Sequence, residues 1–132
     1  MPSSAQLWQV YHVTNCRHTS PPKDKFVVIV HIDGNALGVF INTRISSWIQ
    51  ARPNLIVCET TISAAEHPFL NYDSWVDCQD LYPYTDAELV SGRGIVSETA
   101  KCSILNAIHL CPKLERKYKN AILARENWSP IP

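Results

Sequence analysis

The chain has 132 residues, a length at which one core buries roughly two-thirds of the surface that the unfolded chain exposes, so a single domain over residues 1–132 is expected. Twelve basic and twelve acidic side chains cancel, which excludes a global field drawing the protein onto nucleic acid or an anionic membrane and leaves any phosphate binding to a local patch. A hydrophobic content of 45% excludes general disorder.

Leu7, Val10 and Val13, interleaved with Trp8 and Tyr11, predict an opening strand. The polar TNCRHTSPPKDK follows, and its Pro21 and Pro22, which cannot donate ladder hydrogen bonds, predict a surface loop. Lys25 to Ile32 is a continuous β-branched run, DGN signals a hairpin, and Ala36 to Ile41 returns. NTRISSWIQARP places Ile45, Trp48 and Ile49 on one short helical face, predicting a short helix or irregular crossing that Pro53 stops before a strand over Asn54 to Thr60. Beyond a loop around HPF, Ser74 to Cys78 reads as a further strand, and TDAEL as one turn capped by Thr85.

Gly94 ends the β part. Ser97 then caps a helix to about Cys111 with Ile104, Leu105 and Ile108 on one face. Pro112 separates a second helix in which Leu114, Tyr118 and Ile122 recur, and NWSPIP reads as a frayed tail. The expected fold is mainly β with C-terminal helices (α+β): a barrel-like sheet over about 7–94 and helices over about 97–125.

Five cysteines without a CxxC pair leave at least one thiol unpaired, and Cys58, Cys102 and Cys111 read as buried free thiols in a reduced, cytoplasmic setting. The first residues, MPSSAQLWQVYHV, lack a basic and a long apolar region, and no run reaches the ~18 apolar residues of a membrane span, so no membrane association is expected. H12-x3-C16-x-H18 holds metal-ligand residue types but fits no finger spacing, so no metal site is assigned.

The order of these pieces resembles the MazF/PemK-like toxins, small SH3-like barrels with a C-terminal helix. KDKFVVIV lies where that family has its basic-x-Arg-Pro-Val-Val-Val strand. CETTIS followed by HPF resembles its threonine-containing strand and Pro-Phe step, DSWVDCQDLYPY its serine-to-aspartate strand, and RGIVSETAKCSILNAI its entry into the final helix. The resemblance implies metal-independent cleavage of single-stranded RNA without a cofactor, a homodimer that forms the RNA groove, and an antitoxin protein partner. Two positions depart from the family pattern. Lys25-Phe26 replaces Arg-Pro, and Trp75 stands where some members have arginine; lysine lacks the planar fork that holds a phosphate bidentately.

In such cleavage the ribose 2′-hydroxyl attacks the adjacent phosphate, which calls for a base, an acid and donors for the phosphorane charge. The resemblance puts His18 and Asp77 in proton transfer and Lys25, Arg17 and Thr60 or Thr61 around the phosphate, with Lys23 and Trp75 binding RNA. Thr60 and Thr61 alternate in direction, so at most one faces a given groove. Tyr72, Trp75, Tyr82 and Tyr84 offer rings on which bases stack. Each residue also has a plain structural reading: an edge lysine, a turn aspartate, strand threonines, core aromatics. The alternative function is a catalytically inactive barrel that binds a protein or RNA, which an apolar Phe26 or Trp75 on the groove would suit.

Overall fold

The β-prone runs pair into one antiparallel sheet in the computed structural model, which describes residues 3–130. The strands are β1 (Gln9–Cys16), β2 (Lys23–Asp33), β3 (Asn35–Asn42), β4 (Glu59–Ile62), β5 (Ser74–Tyr84) and β6 (Gly92–Ile95), in the spatial order β4-β5-β3-β2-β1-β6. The sheet curls as a six-stranded half-barrel. Helices α1 (Ser47–Gln50) and α2 (Pro53–Ile56) fill the β3–β4 connection, and α3 (Glu98–Leu110) and α4 (Arg116–Arg125) follow the sheet.

The β2–β3 hairpin turns at Gly34, whose φ of 73° is left-handed and suits glycine, so Asp33 and Asn35 pair across it. Val27, Val28, Ile29 and Val30 are all fully buried, because the middle of β2 is covered on both faces. On one face Val28, Val30, Val39, Ile41, Val76 and Cys78 pack with Ile104, Ile108 and Ile122 of the helices. On the other, Tyr11, Val13, Val27 and Ile29 pack with Tyr84 and with Leu89 of the β5–β6 loop. Helix α3 begins where the sequence places it: Ser97 Oγ accepts the Ala100 N–H at 3.0 Å.

Several expectations are corrected. Pro53 does not stop a helix but opens α2, where its missing N–H costs nothing, and the strand after it shrinks to Glu59–Ile62. β5 runs six residues past Cys78, to Tyr84, and Gly92–Ile95 forms an unforeseen edge strand on β1. The polar break after Val13 is shorter than expected, because β1 continues through a bulge at which Asn15 is left-handed (φ 46°), and ends at buried Cys16. Pro112 lies outside α4. Of the expected frayed tail, Ile131 and Pro132 lie outside the described residues, while Trp128 is half-buried and its N–H donates to Leu123 O at 3.0 Å.

Cys58 and Cys111 are not free thiols: they form a disulfide that ties the residue before β4 to the end of α3. Closing a loop with a separation of 53 residues stabilises the fold by about 2 to 4 kcal/mol in the chain-entropy account. Cys102, read as buried, is exposed, whereas Cys16 and Cys78 are buried thiols. Among the described residues no helix is long and apolar enough to cross a membrane.

Gly38 is closely approached within the sheet: a Cβ there would stand 3.1 Å from Val28 O, 3.1 Å from Ile29 Cδ1 and 3.2 Å from Tyr84 Cε2. Val28 O is held in the ladder, and Ile29 and Tyr84 are fully buried, so none can yield easily. Gly38→Ala should lower stability by about 1 to 3 kcal/mol, seen as a lower urea midpoint at unchanged slope; an unshifted midpoint would show that the sheet relaxes there.

Candidate active site

On the face of the sheet away from α3 and α4, two cross-strand rows carry most of the chemistry. Val27, Phe40, Asp77 and Glu59 are successive ladder partners across β2, β3, β5 and β4. In the adjoining row Asn42 pairs with Trp75 and Trp75 with Thr61, and Lys25 Nζ donates to Asn42 Oδ1. Because side chains alternate along a strand, Lys25, Asn42, Trp75, Asp77, Thr61 and Glu59 share one face. Thr60 pairs with buried Val76 and points with it toward the helices, so Thr61 is the threonine on the candidate face.

A groove of about 540 Å³ opens where β2 begins, β3 ends and β4 begins. It is lined by Lys23, Lys25, Asn42, Arg44, Ser46 and Glu59 among others. β3 and β5 separate β2 from β4 in the sheet, so it is the curl that brings Lys25 and Glu59 to one groove.

Lys25 is half-buried, with Nζ 5.0 Å from the centroid of the Phe40 ring. Burial lowers its pKa and neighbouring Lys23 adds to the effect, while Cys16 and Asp77 oppose it. Asp77 Oδ1 accepts the backbone N–H of Gln79 at 2.9 Å. Glu59 is 8% exposed, and its Oε2 is the one buried side-chain oxygen or nitrogen without a hydrogen-bond partner among the described residues. Burial, reinforced by the facing Asp77 carboxyl, pushes the Glu59 pKa up to about 8 against a hydrogen bond with Gln79.

The remaining sequence-derived candidates are placed elsewhere on this side. Arg17 Nε pairs with Glu88 Oε2 at 3.1 Å, and its Nη2 donates to Pro83 O at 2.8 Å. His18 Nε2 lies 2.8 Å from the same carbonyl, which only accepts, so Nε2 carries the hydrogen. The His18 ring stacks on Tyr82 at 4.9 Å and Tyr82 on Phe40 at 4.8 Å, giving a row of three rings that ends at the Lys25 ammonium. Two rings thus stand between His18 and Lys25. Lys23 is exposed at the groove, Tyr72 is exposed outside these two rows, and Tyr84 is fully buried in the core.

Among the described residues no three His, Cys, Asp or Glu side chains gather as a metal-binding group. No protein-family model matches the chain, and no curated protein is significantly similar to it.

Glu59, Asn42 and Arg44 escaped the reading of the sequence. For Glu59 a signal existed: a lone carboxyl in the β-prone VCETTI is as costly to bury as Asp77 in WVDC, and the same argument applies to both. Between about pH 5 and about pH 8 the folded protein keeps a Glu59 proton that the unfolded chain has released, so stability should fall as pH rises through this window. Glu59→Gln, neutral throughout, should flatten that slope and melt at a higher temperature than the parent near the upper end. Thermal melts across the range decide it, and a parent whose melting temperature does not fall with pH would contradict a protonated Glu59.

Proposed function

We propose that the protein is a metal-independent endoribonuclease of the MazF/PemK-like kind, its half-barrel a variant of the SH3-like barrel, cleaving single-stranded RNA by attack of a 2′-hydroxyl on the adjacent phosphate. The observation that carries this reading is that Lys25 and Asp77, distant in sequence, lie on one sheet face in adjoining cross-strand rows, with Lys25 lining a groove that bears further cations. In this reading Asp77 takes the 2′-hydroxyl proton, and Lys25 and the Asn42 amide face the charge that develops on the phosphoryl oxygens. Lys23, Arg44 and Thr61 guide the flanking phosphates, and the half-buried rings of Trp75 and Tyr82 receive bases. His18, its Nε2 held by Pro83 O, lies at the far end of the ring row, where it serves binding rather than proton transfer at the phosphate. The family resemblance further supplies a homodimer and an antitoxin protein as partners.

A second reading, a barrel that binds RNA or a protein without cutting, is favoured by one observation: Arg17 and His18 are already engaged with Glu88 and Pro83. Purified protein incubated with single-stranded RNA in excess EDTA separates the two. The nuclease should leave 2′,3′-cyclic phosphate and 5′-hydroxyl ends, and Asp77→Asn or Lys25→Ala should each slow cleavage by about 10²-fold or more. RNA that is retained but intact would establish the binding module, and a parental rate in both variants would overturn these roles.

A further inference from the structure

Cleavage that begins with Asp77 removing a proton needs a second group to protonate the leaving oxygen, and the site described so far supplies bases and cations but no acid. Glu59 fills that place by its surroundings. It starts β4 directly opposite Asp77, lies more than nine-tenths buried, and lines the groove shared with Lys25 and Arg44. Its Oε2 meets no hydrogen-bond partner among the described residues. Asp77 and Gln79 face it from β5, and buried Cys78 lies between them; Lys23, Asp24 and Lys25 border the groove from β2, and Arg44 from the segment after β3. Lys25, which lines the same groove, donates to Asn42 and is not paired with Glu59. A carboxyl so buried, facing another carboxyl and without a cation on its free oxygen, is held neutral. It therefore carries a proton that the facing Asp77 can share and that the groove can receive.

We propose, resting on the nuclease reading above, that Glu59 is the general acid of the cleavage and that Glu59 and Asp77 work as a pair sharing one proton. The 2′-oxygen forms a bond to phosphorus and its proton passes to the Asp77 carboxylate. The bond from phosphorus to the 5′-oxygen breaks with its electron pair, and that oxygen takes the Glu59 proton. The products are a 2′,3′-cyclic phosphate and a 5′-hydroxyl. Asp77 then holds the proton and Glu59 is ionised; transfer across the facing pair restores the starting state without external acid or base.

The test uses two short oligoribonucleotides, one with the ordinary 5′-oxygen at a single scissile linkage and one with sulfur there, since a thiol with pKa about 8.5 leaves as thiolate without a proton. With the full chain, Glu59→Gln should slow the oxygen linkage by about 10²- to 10⁴-fold and leave the sulfur linkage at the parental rate, while Asp77→Asn should slow both. The parent alone gives a second readout: its rate on the oxygen linkage should fall at alkaline pH, with no such limb on the sulfur linkage. Equal slowing of both linkages by Glu59→Gln, or no slowing of either, would overturn the acid role and leave the nuclease reading standing. A parent that cuts neither linkage would end both.

Discussion

The residues Val27 to Val30, four successive side chains with no exposure, demand that the sheet be covered on both faces, and the rest of the architecture answers that demand. Helices α3 and α4 cover one face through Ile104, Ile108 and Ile122. The other is covered only in part, by the N-terminal segment through Ala5 and Leu7 and by Leu89 after β5. Where this second layer stops, the sheet keeps a bare region, and Lys25, Asn42, Trp75, Asp77 and Glu59 lie on it. Phe40 and Tyr82 mark the border: they pack against the covered cluster on one side and reach Lys25 and His18 on the other. The candidate site is thus a gap in the covering of a sheet whose central strands are otherwise largely buried.

The polar groups at this gap break rules that the remainder of the chain obeys. A half-buried lysine and an unpartnered buried carboxyl both cost stability, and such local conflicts concentrate where a protein's chemistry is done. Lys25 also becomes intelligible in its surroundings. Lysine donates only, so the Asn42 atom it meets is Oδ1, and the Asn42 NH₂ is left to donate elsewhere. Lysine and asparagine together therefore offer donors from two directions.

How much of this was legible in the sequence depended on how local the cause was. The β2–β3 hairpin and the start of α3 were readable because a β-branched run, a Gly turn and a Ser cap act within a few residues. β6 was not, since GRGI has no strand pattern of its own and pairs because β1 offers an open edge. The Cys58–Cys111 pairing depends on where α3 ends over β4, a tertiary fact that spacing cannot carry. Lys25 and Asp77 are reached through resemblance to a family, whereas Glu59 stands in a threonine-containing strand with its partner 18 residues away in sequence. The choice between Thr60 and Thr61 required only the register of one ladder.

That register also explains why β4 needs support from outside the sheet. It is an edge strand of four residues with β5 as its sole partner, and so short an edge has little stability of its own. A slip of one residue would set Thr60 opposite Asp77 and turn Glu59 toward the helices. Three contacts act against the slip, two of them at the start of the strand. The disulfide fixes Cys58 to the end of α3, the Cys78 N–H donates to Cys58 O at 3.0 Å, and Ile62 is buried at the strand's far end. Cys58 is the residue immediately before Glu59, so the covalent anchor bears on the position where two carboxyls must meet. The stability supplied by the disulfide and the geometry of the candidate site therefore depend on the same few residues, and disturbing the first would be expected to blur the second even though neither sulfur faces the groove.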